Sequence, residues 1–322
     1  MASTTPLNVE SSIREVWASE VLREHLVSGF WGKFVGGEGS TMPIVQKTEL
    51  LDKPGDTIHI QSTVPLSGAG VTGDTTALIG SEENLTTAEI LVVPIFYRHG
   101  VRWYRRADKK SIVGLREEAS MRLAEWGTQK MDALRFASYV DVSTVAANIF
   151  ASVGGAGTKL GVTAAAGKLT SLDIQTIKLR LTNQKAKPLY TSAGEPVYGL
   201  VVHPNVMFDL KRDAEYRDWV QQAHIRGADN PFFKGATAMI DGVVLFEHPN
   251  VQTYTATDAS KAAECIAFGQ GAFVEGVDEN VSWDEMDFDY GNEFGIAYKF
   301  AMESKRALKL NSLVCYLSAV DK

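Results

Sequence analysis

Cysteine is nearly missing from this chain: Cys265 and Cys315 are the two in 322 residues. Neither has a second Cys or a His at metal-ligand spacing, which argues against a zinc site or a disulfide-built scaffold, so both are expected as buried small hydrophobes. Apolar runs of bilayer-spanning length are also missing, and with them any membrane helix. The opening MASTTPLNVESSIREVW is polar and lacks the basic-then-apolar order of a secretory signal, so the expected site of synthesis is the cytoplasm. Nor is there an excess of positive charge. With 32 Lys and Arg against 39 Asp and Glu, the net charge of -7 argues against a surface that grips nucleic acid everywhere.

The marks of common chemistries are absent too. His25, His59, His99, His203, His224 and His248 are scattered and form no H-E-x-x-H, and neither a G-x-S-x-G elbow nor a G-x-x-x-x-G-K-[ST] loop occurs. The acidic run from Asp284 to Asp289 is out of step with a calcium loop, because Gly291 follows Asp287 by four positions rather than five. No catalytic residue, cofactor or metal is therefore expected. A soluble enzyme built on the later, mixed part of the chain is the alternative from another class, and nothing in the sequence asks for it.

What is present is a globular composition, 45% hydrophobic and 22% charged, with one dominant stretch. From about Ala107 to Asp141, apolar residues recur at Ile112, Leu115, Ala119, Leu123, Trp126, Leu134 and Ala137. That three-and-four spacing predicts a single helix of roughly 45 Å, too long to sit inside one small core. Ahead of it, Ser12 and Glu15 form a capping box for a helix ending near Gly29. The segment that follows carries Phe30, Trp31 and Phe34 among glycines, with too few partners of its own. Residues 1–50 are therefore expected to form an arm that packs elsewhere or on a neighbouring subunit.

In GDTIHIQSTVPLSG, Ile58, Ile60, Val64 and Leu66 alternate with Thr57, His59, Gln61 and Thr63, the period of a half-buried strand. A return strand is expected over 88–99. The roughly twenty residues between them are glycine-rich and poor in core formers, so the pair reads as a long two-stranded arm that needs a surface outside itself. Its tip holds Gly68, Gly70 and Gly73 in the spacing G-x-G-x-x-G, but no apolar-periodic helix follows, which removes the dinucleotide meaning.

Arg98, Arg102, Arg105, Arg106, Lys109 and Lys110 lead into the long helix, where cations oppose the helix dipole. They are expected to pair with acidic groups of this chain or a neighbour, or else to meet a polyanion. The complementary run is Glu275, Asp278, Glu279, Asp284, Glu285, Asp287, Asp289 and Glu293, which contains no Lys or Arg. Residues 150–168 read as a hinge; beyond them Thr170 to Asp173 can cap a helix carrying Ile174, Ile177 and Leu181, PVYGLVVHP reads as a buried strand and NVMFDLKRDAEYRDWVQQAHIRG as a second helix, interleaved without a βαβ repeat. The fold class is α+β.

Six segments in order carry a resemblance: GDTIHIQSTVPLSGAGVTGD with IGSEENLT, YRHGVRW, LREEASMRLAEWGTQKMDAL, YGLVVHPNVMFDLKRD, DGVVLFEHPNV and FDYGNEFGIAYKF. Together they resemble the major capsid proteins of tailed bacteriophages with the Hong Kong ninety-seven (Johnson) fold, in the branch of the phage N-four type. The resemblance implies an N-terminal arm over 1–50, an extended E-loop hairpin over 55–99, a peripheral P-domain over 100–150 and 275–322 with a long spine helix, and an axial A-domain over 151–274. It implies no enzyme, but a structural protein that self-assembles as pentamers and hexamers into an icosahedral virion head, made in the host cytoplasm and enclosing double-stranded DNA without sequence-specific binding. Portal, scaffolding and decoration proteins are further partners it allows; an encapsulin-like compartment shell is the alternative within the fold. The expected subunit contacts are Phe30, Trp31, Phe34, Gly68, Gly70, Gly73, Arg98, Arg102, Arg105, Arg106, Asp284, Glu285 and Asp287.

Overall fold

Two sheets and a separate two-stranded ribbon account for the strands among the described residues. The computed structural model describes residues 29–37, 39–51, 55–63, 66, 68–73, 78–79, 82–85, 87–111, 114–140, 149–151, 168–192, 195–218, 239–255, 261–307 and 312–319. The helix expected from Ser12, most of the expected hinge and the later part of the helix expected after Asn205 lie outside these residues.

In chain order the first elements are β1 (Val35–Gly36), β2 (Ile44–Lys47), β3 (Ile58–Thr63), β4 (Thr87–Val92), β5 (Ile95–Tyr104), α1 (Arg105–Lys110) and α2 (Leu115–Tyr139). Next come β6 (Ile149–Ala151), α3 (Ser171–Asn183), β7 (Tyr190–Ser192), β8 (Glu195–Val202) and α4 (Pro204–Leu210). The rest are β9 (Met239–Ile240), β10 (Val243–Glu247), β11 (Thr253–Thr255), β12 (Lys261–Phe268), β13 (Phe273–Phe288), β14 (Glu293–Arg306) and β15 (Ser312–Ala319).

The first sheet has the order β1-β2-β13-β14-β5, and α2 lies across it. Ala119 and Leu123 are buried against Val277, Ile296, Tyr298, Phe300 and Met302, with Trp126, Met131 and Leu134 packed at the margin. Gly127 lets the helix come close: a Cβ there would stand 2.3 Å from the Tyr298 ring. The single helix expected over 107–141 is in fact two. Helix α1 is RRADKK and buries nothing, so no packing holds it in line with α2; the backbone is extended at Ser111 and α2 starts behind Gly114. The 25 residues of α2 reach about 37 Å, shorter than expected. Ala137, assigned to the apolar face, is exposed.

The second sheet runs β6-β15-β12-β8-β10-β9, with β11 on β12 and β7 on β8. Strands β8 and β12 are buried along nearly their whole length, as a sheet covered on both faces requires. Helix α3 begins at the expected box, where the Thr170 side chain accepts from the Asp173 N–H and Asp173 accepts from the Thr170 N–H. Residues 312–319, which the resemblance assigns to the domain of the long helix, pair with β12 and β6. That register sets Cys265 opposite Cys315, and Cys265 is fully buried.

Trp31 is the hub of the larger core. Its ring meets Phe136, Tyr139, Phe268 and Phe273 at centroid distances of 5.1–5.5 Å, mostly edge to face. The segment carrying Phe30, Trp31 and Phe34 takes the first of the two courses expected for it, packing on another part of its own chain. Phe30 and Trp31 are buried and Phe34 packs against the same core. Asp132 of α2 makes this stable by accepting the backbone N–H groups of Phe30 and Trp31, the latter at 3.1 Å, which would otherwise be unpaired at the start of the 3-10 turn Trp31–Phe34.

Beside Asp132 lies a second polar group inside the protein. Arg135 donates to both oxygens of Glu275, at 2.8 and 3.1 Å, and Glu275 also accepts from Ser304 and Gln46. The network joins α2, β13, β14 and β2 at the place where the two sheets meet. Burial on this scale is sustained only because each charge is paired and hydrogen-bonded.

Candidate assembly surfaces

Strands β3 and β4 pair with each other and with no other strand among the described residues, in register Ile58↔Val92 through Thr63↔Thr87. A lone two-stranded ribbon is marginal in water, so its root matters. Ile58 and Val92 are buried there over Gly276, where a Cβ would stand 2.7 Å from Val92. The Val93 N–H donates to Glu303 at 2.5 Å and Lys305 donates to the Leu91 carbonyl at 2.7 Å. The return strand expected over 88–99 is divided at Pro94, which has no N–H for a continuing ladder; β5 then joins the first sheet.

Away from that root, none of the described side chains of the ribbon is buried. Leu66, Leu78 and Leu85 are well exposed, and Ile79 keeps 88% of its surface in water. Gly70 and Gly73 have φ of +68° and +88°, a left-handed backbone that glycine adopts at no steric cost, and the Gly68 N–H donates to Glu83 across the loop at 2.6 Å. Among the described residues the three glycines thus shape the end of the ribbon.

Strand β5 forms one edge of the first sheet and is exposed at most positions. It carries Arg98, opposite Lys299 of β14, and Arg102. Arg102 pairs with Glu293, and its guanidinium lies 4.4 Å from the centre of the Phe288 ring. The other expected pairings are redistributed. Glu285 is taken by Arg116, at 2.7 and 2.8 Å, and Asp284 by Lys299 at 2.9 Å; both pairs are open to solvent and screened. Among the described residues, Arg98, Arg105 and Arg106 form no ion pair and stay exposed. Asp284, Glu285 and Asp287 lie along β13, two of them already satisfied by cations that the sequence reading passed over.

That reading also missed Asp132, Arg135 and Glu303. Each acts on a partner more than a hundred positions away, and no local pattern marks it.

The arrangement is a body with a rooted, projecting ribbon, an open strand edge and a spine helix. A family model described as phage capsid protein matches residues 7–301. This chain belongs to the phage capsid protein family. It is 29% identical to the major capsid protein of Pseudomonas phage KPP25, over 88% of this chain and 86% of that one. Among solved structures, the capsid of Ralstonia phage GP4 has a TM-score of 0.77 at 24% identity, with 99% of each chain covered. The capsid asymmetric unit of cyanophage Pam1 has a TM-score of 0.82 at 17% identity, with both chains covered throughout. The fold of this capsid-family chain is therefore the Hong Kong ninety-seven fold that the order of its segments implied.

Proposed function

We propose that this chain is the major capsid protein of a phage, self-assembling as pentamers and hexamers into an icosahedral head that encloses double-stranded DNA. The observation that carries the proposal is the ribbon: clamped at Ile58 and Val92, it leaves Leu78 and Ile79 59% and 88% exposed, with no other strand among the described residues paired to it. Apolar area of this kind gains about 25 cal/mol per Å² when a neighbouring copy covers it. Over many copies, modest gains make a shell that comes apart slowly.

On this reading the peripheral domain is the first sheet with α2, and the axial domain is the second sheet, including residues 312–319. The ribbon is the E-loop and the chain before β1 the N-terminal arm. The net charge of -7 suits a wall that contains DNA without binding it tightly. Assembly takes place in the host cytoplasm, with portal, scaffolding or decoration proteins as added partners, and the chain carries out no catalysis.

Electron microscopy of the purified protein tests this. Closed particles tens of nanometres across, or free pentamers and hexamers, are expected; a protein that stays monomeric in every buffer and at every concentration overturns it.

A further inference from the structure

At the turn joining β13 to β14, Tyr290 projects with all of its surface in water, at 109% of the reference value. The backbone there is unusual: Asp289, Tyr290 and Gly291 have φ of +47°, +51° and +81°. Gly291 adopts that region freely, but two consecutive L side chains do so against steric resistance. The turn is held from behind. The Asn292 N–H donates to the Asp289 carbonyl at 3.0 Å, the Arg105 N–H donates to the Asn292 carbonyl at 2.8 Å, and Arg102 braces Phe288 and Glu293. None of these bonds involves the Tyr290 ring. A strained, braced backbone thus presents an aromatic side chain that no described residue covers.

One rung behind the turn, where Asp287 faces Phe294, is a cavity of about 300 Å³ walled by Trp103, Phe294 and Ile296, with the Asp108 and Asp287 carboxylates at its margin. The Arg116–Glu285 pair bounds another side. Apolar walls beside hydrogen-bond acceptors suit a phenol, whose ring seeks the first and whose O–H donates to the second. Knob and hollow are separated by about three strand residues, on the order of 10 Å. Tyr290 is not among the residues that line the hollow of its own chain.

We infer that Tyr290 of one copy docks in the Trp103–Phe294–Ile296 hollow of a second copy. Because the two features lie so close together, a rotation axis passing beside the turn brings each tyrosine to the next hollow and closes a small ring. The inference rests on the reading of the chain as a shell subunit, and it names one contact within that shell.

The test places the photo-crosslinker p-benzoylphenylalanine at position 290, assembles particles from an equal mixture of nitrogen-15-labelled and unlabelled chains, and maps the products by mass spectrometry. Mixed-isotope crosslinks to peptides containing Trp103 or Phe294–Ile296 are expected. In parallel, Tyr290→Ala should raise the protein concentration for half-assembly at least tenfold, while Tyr290→Phe, which keeps the ring, should lie nearer the wild type. Normal shells whose crosslinks fall elsewhere, or whose assembly ignores Tyr290→Ala, overturn this contact and leave the shell intact. Failure of the wild-type chain to associate at all overturns both.

Discussion

Arg135 and Glu275, 140 positions apart, meet through two hydrogen bonds in the interior. Their side chains keep 9% and 2% of their surface exposed, so neither charge could remain without the other. Removing one partner by Arg135→Met or Glu275→Met should cost about 3–5 kcal/mol, since it strands a buried charge, whereas the double variant should recover a large part of that loss. Denaturant unfolding of the unassembled subunit measures all three; equal losses that simply add would contradict the coupling.

Gly127 sits in the middle of α2 against Tyr298. In an exposed helix, alanine would be preferred by about 1 kcal/mol. Here the added methyl would stand 2.3 Å from a ring that is itself buried, so Gly127→Ala should instead destabilise by about 1–3 kcal/mol through overpacking. Its denaturation midpoint should fall, and a rise would show that the helix is free to move outward.

Ile79 tests the ribbon. Exposed at 88%, it contributes little to the fold of one subunit, so Ile79→Asp should leave subunit stability within about 0.5 kcal/mol of the wild type. Particle yield by sedimentation should nevertheless drop sharply. Normal yield would place the ribbon's apolar residues outside the contact.

Arg105 and Arg106 lie on α1 without an ion pair among the described residues. Reversing both to Glu should impair assembly and spare the subunit's circular dichroism spectrum, because α1 buries nothing. Shells of normal appearance from that variant would refute a role in subunit contact.

Burial pushes the Cys265 thiol up to about 12. The folded chain therefore keeps a proton that the unfolded chain releases once the pH passes the ordinary thiol value of 9.0; this contribution to stability is complete below that pH and fades as the pH rises toward the folded value. At pH 8, iodoacetamide should leave Cys265 unmodified in the native protein and label it after guanidine unfolding, read by peptide mass. Rapid native labelling would show that β12 opens readily.

Local rules made some of this fold legible and failed on the rest for a physical reason. Alternation in IHIQ placed β3, the three-and-four spacing placed α2, and Thr170 with Asp173 placed the start of α3, because neighbours in sequence decide all three. Phe30 and Trp31 looked orphaned because their partners, Phe136, Tyr139, Phe268 and Phe273, come from distant elements. The pairing of β15 with β12 is equally non-local. Of the candidate surfaces, the ribbon showed in its glycines and missing core residues. The salt bridges did not, since a charge run states what could pair and not which cation arrives first: Arg116 and Lys299, both outside the basic cluster, hold Glu285 and Asp284. Tyr290 left the faintest trace, a D-Y-G-N turn whose strain exists only in three dimensions.

Strand β13 begins at Phe273, stacked on Tyr139 with ring centres 3.7 Å apart, and ends at Phe288 beneath the tyrosine turn. Its 16 residues span at most about 50 Å, bend where the register shifts on either side of Glu279, and run from the aromatic hub at one end to the exposed turn at the other. A load applied at the turn would thereby reach the hub along a strand hydrogen-bonded to β14 and not through a loop. In a closed vessel under internal pressure, such a strand would spread stress from each junction into the interior of every wall unit.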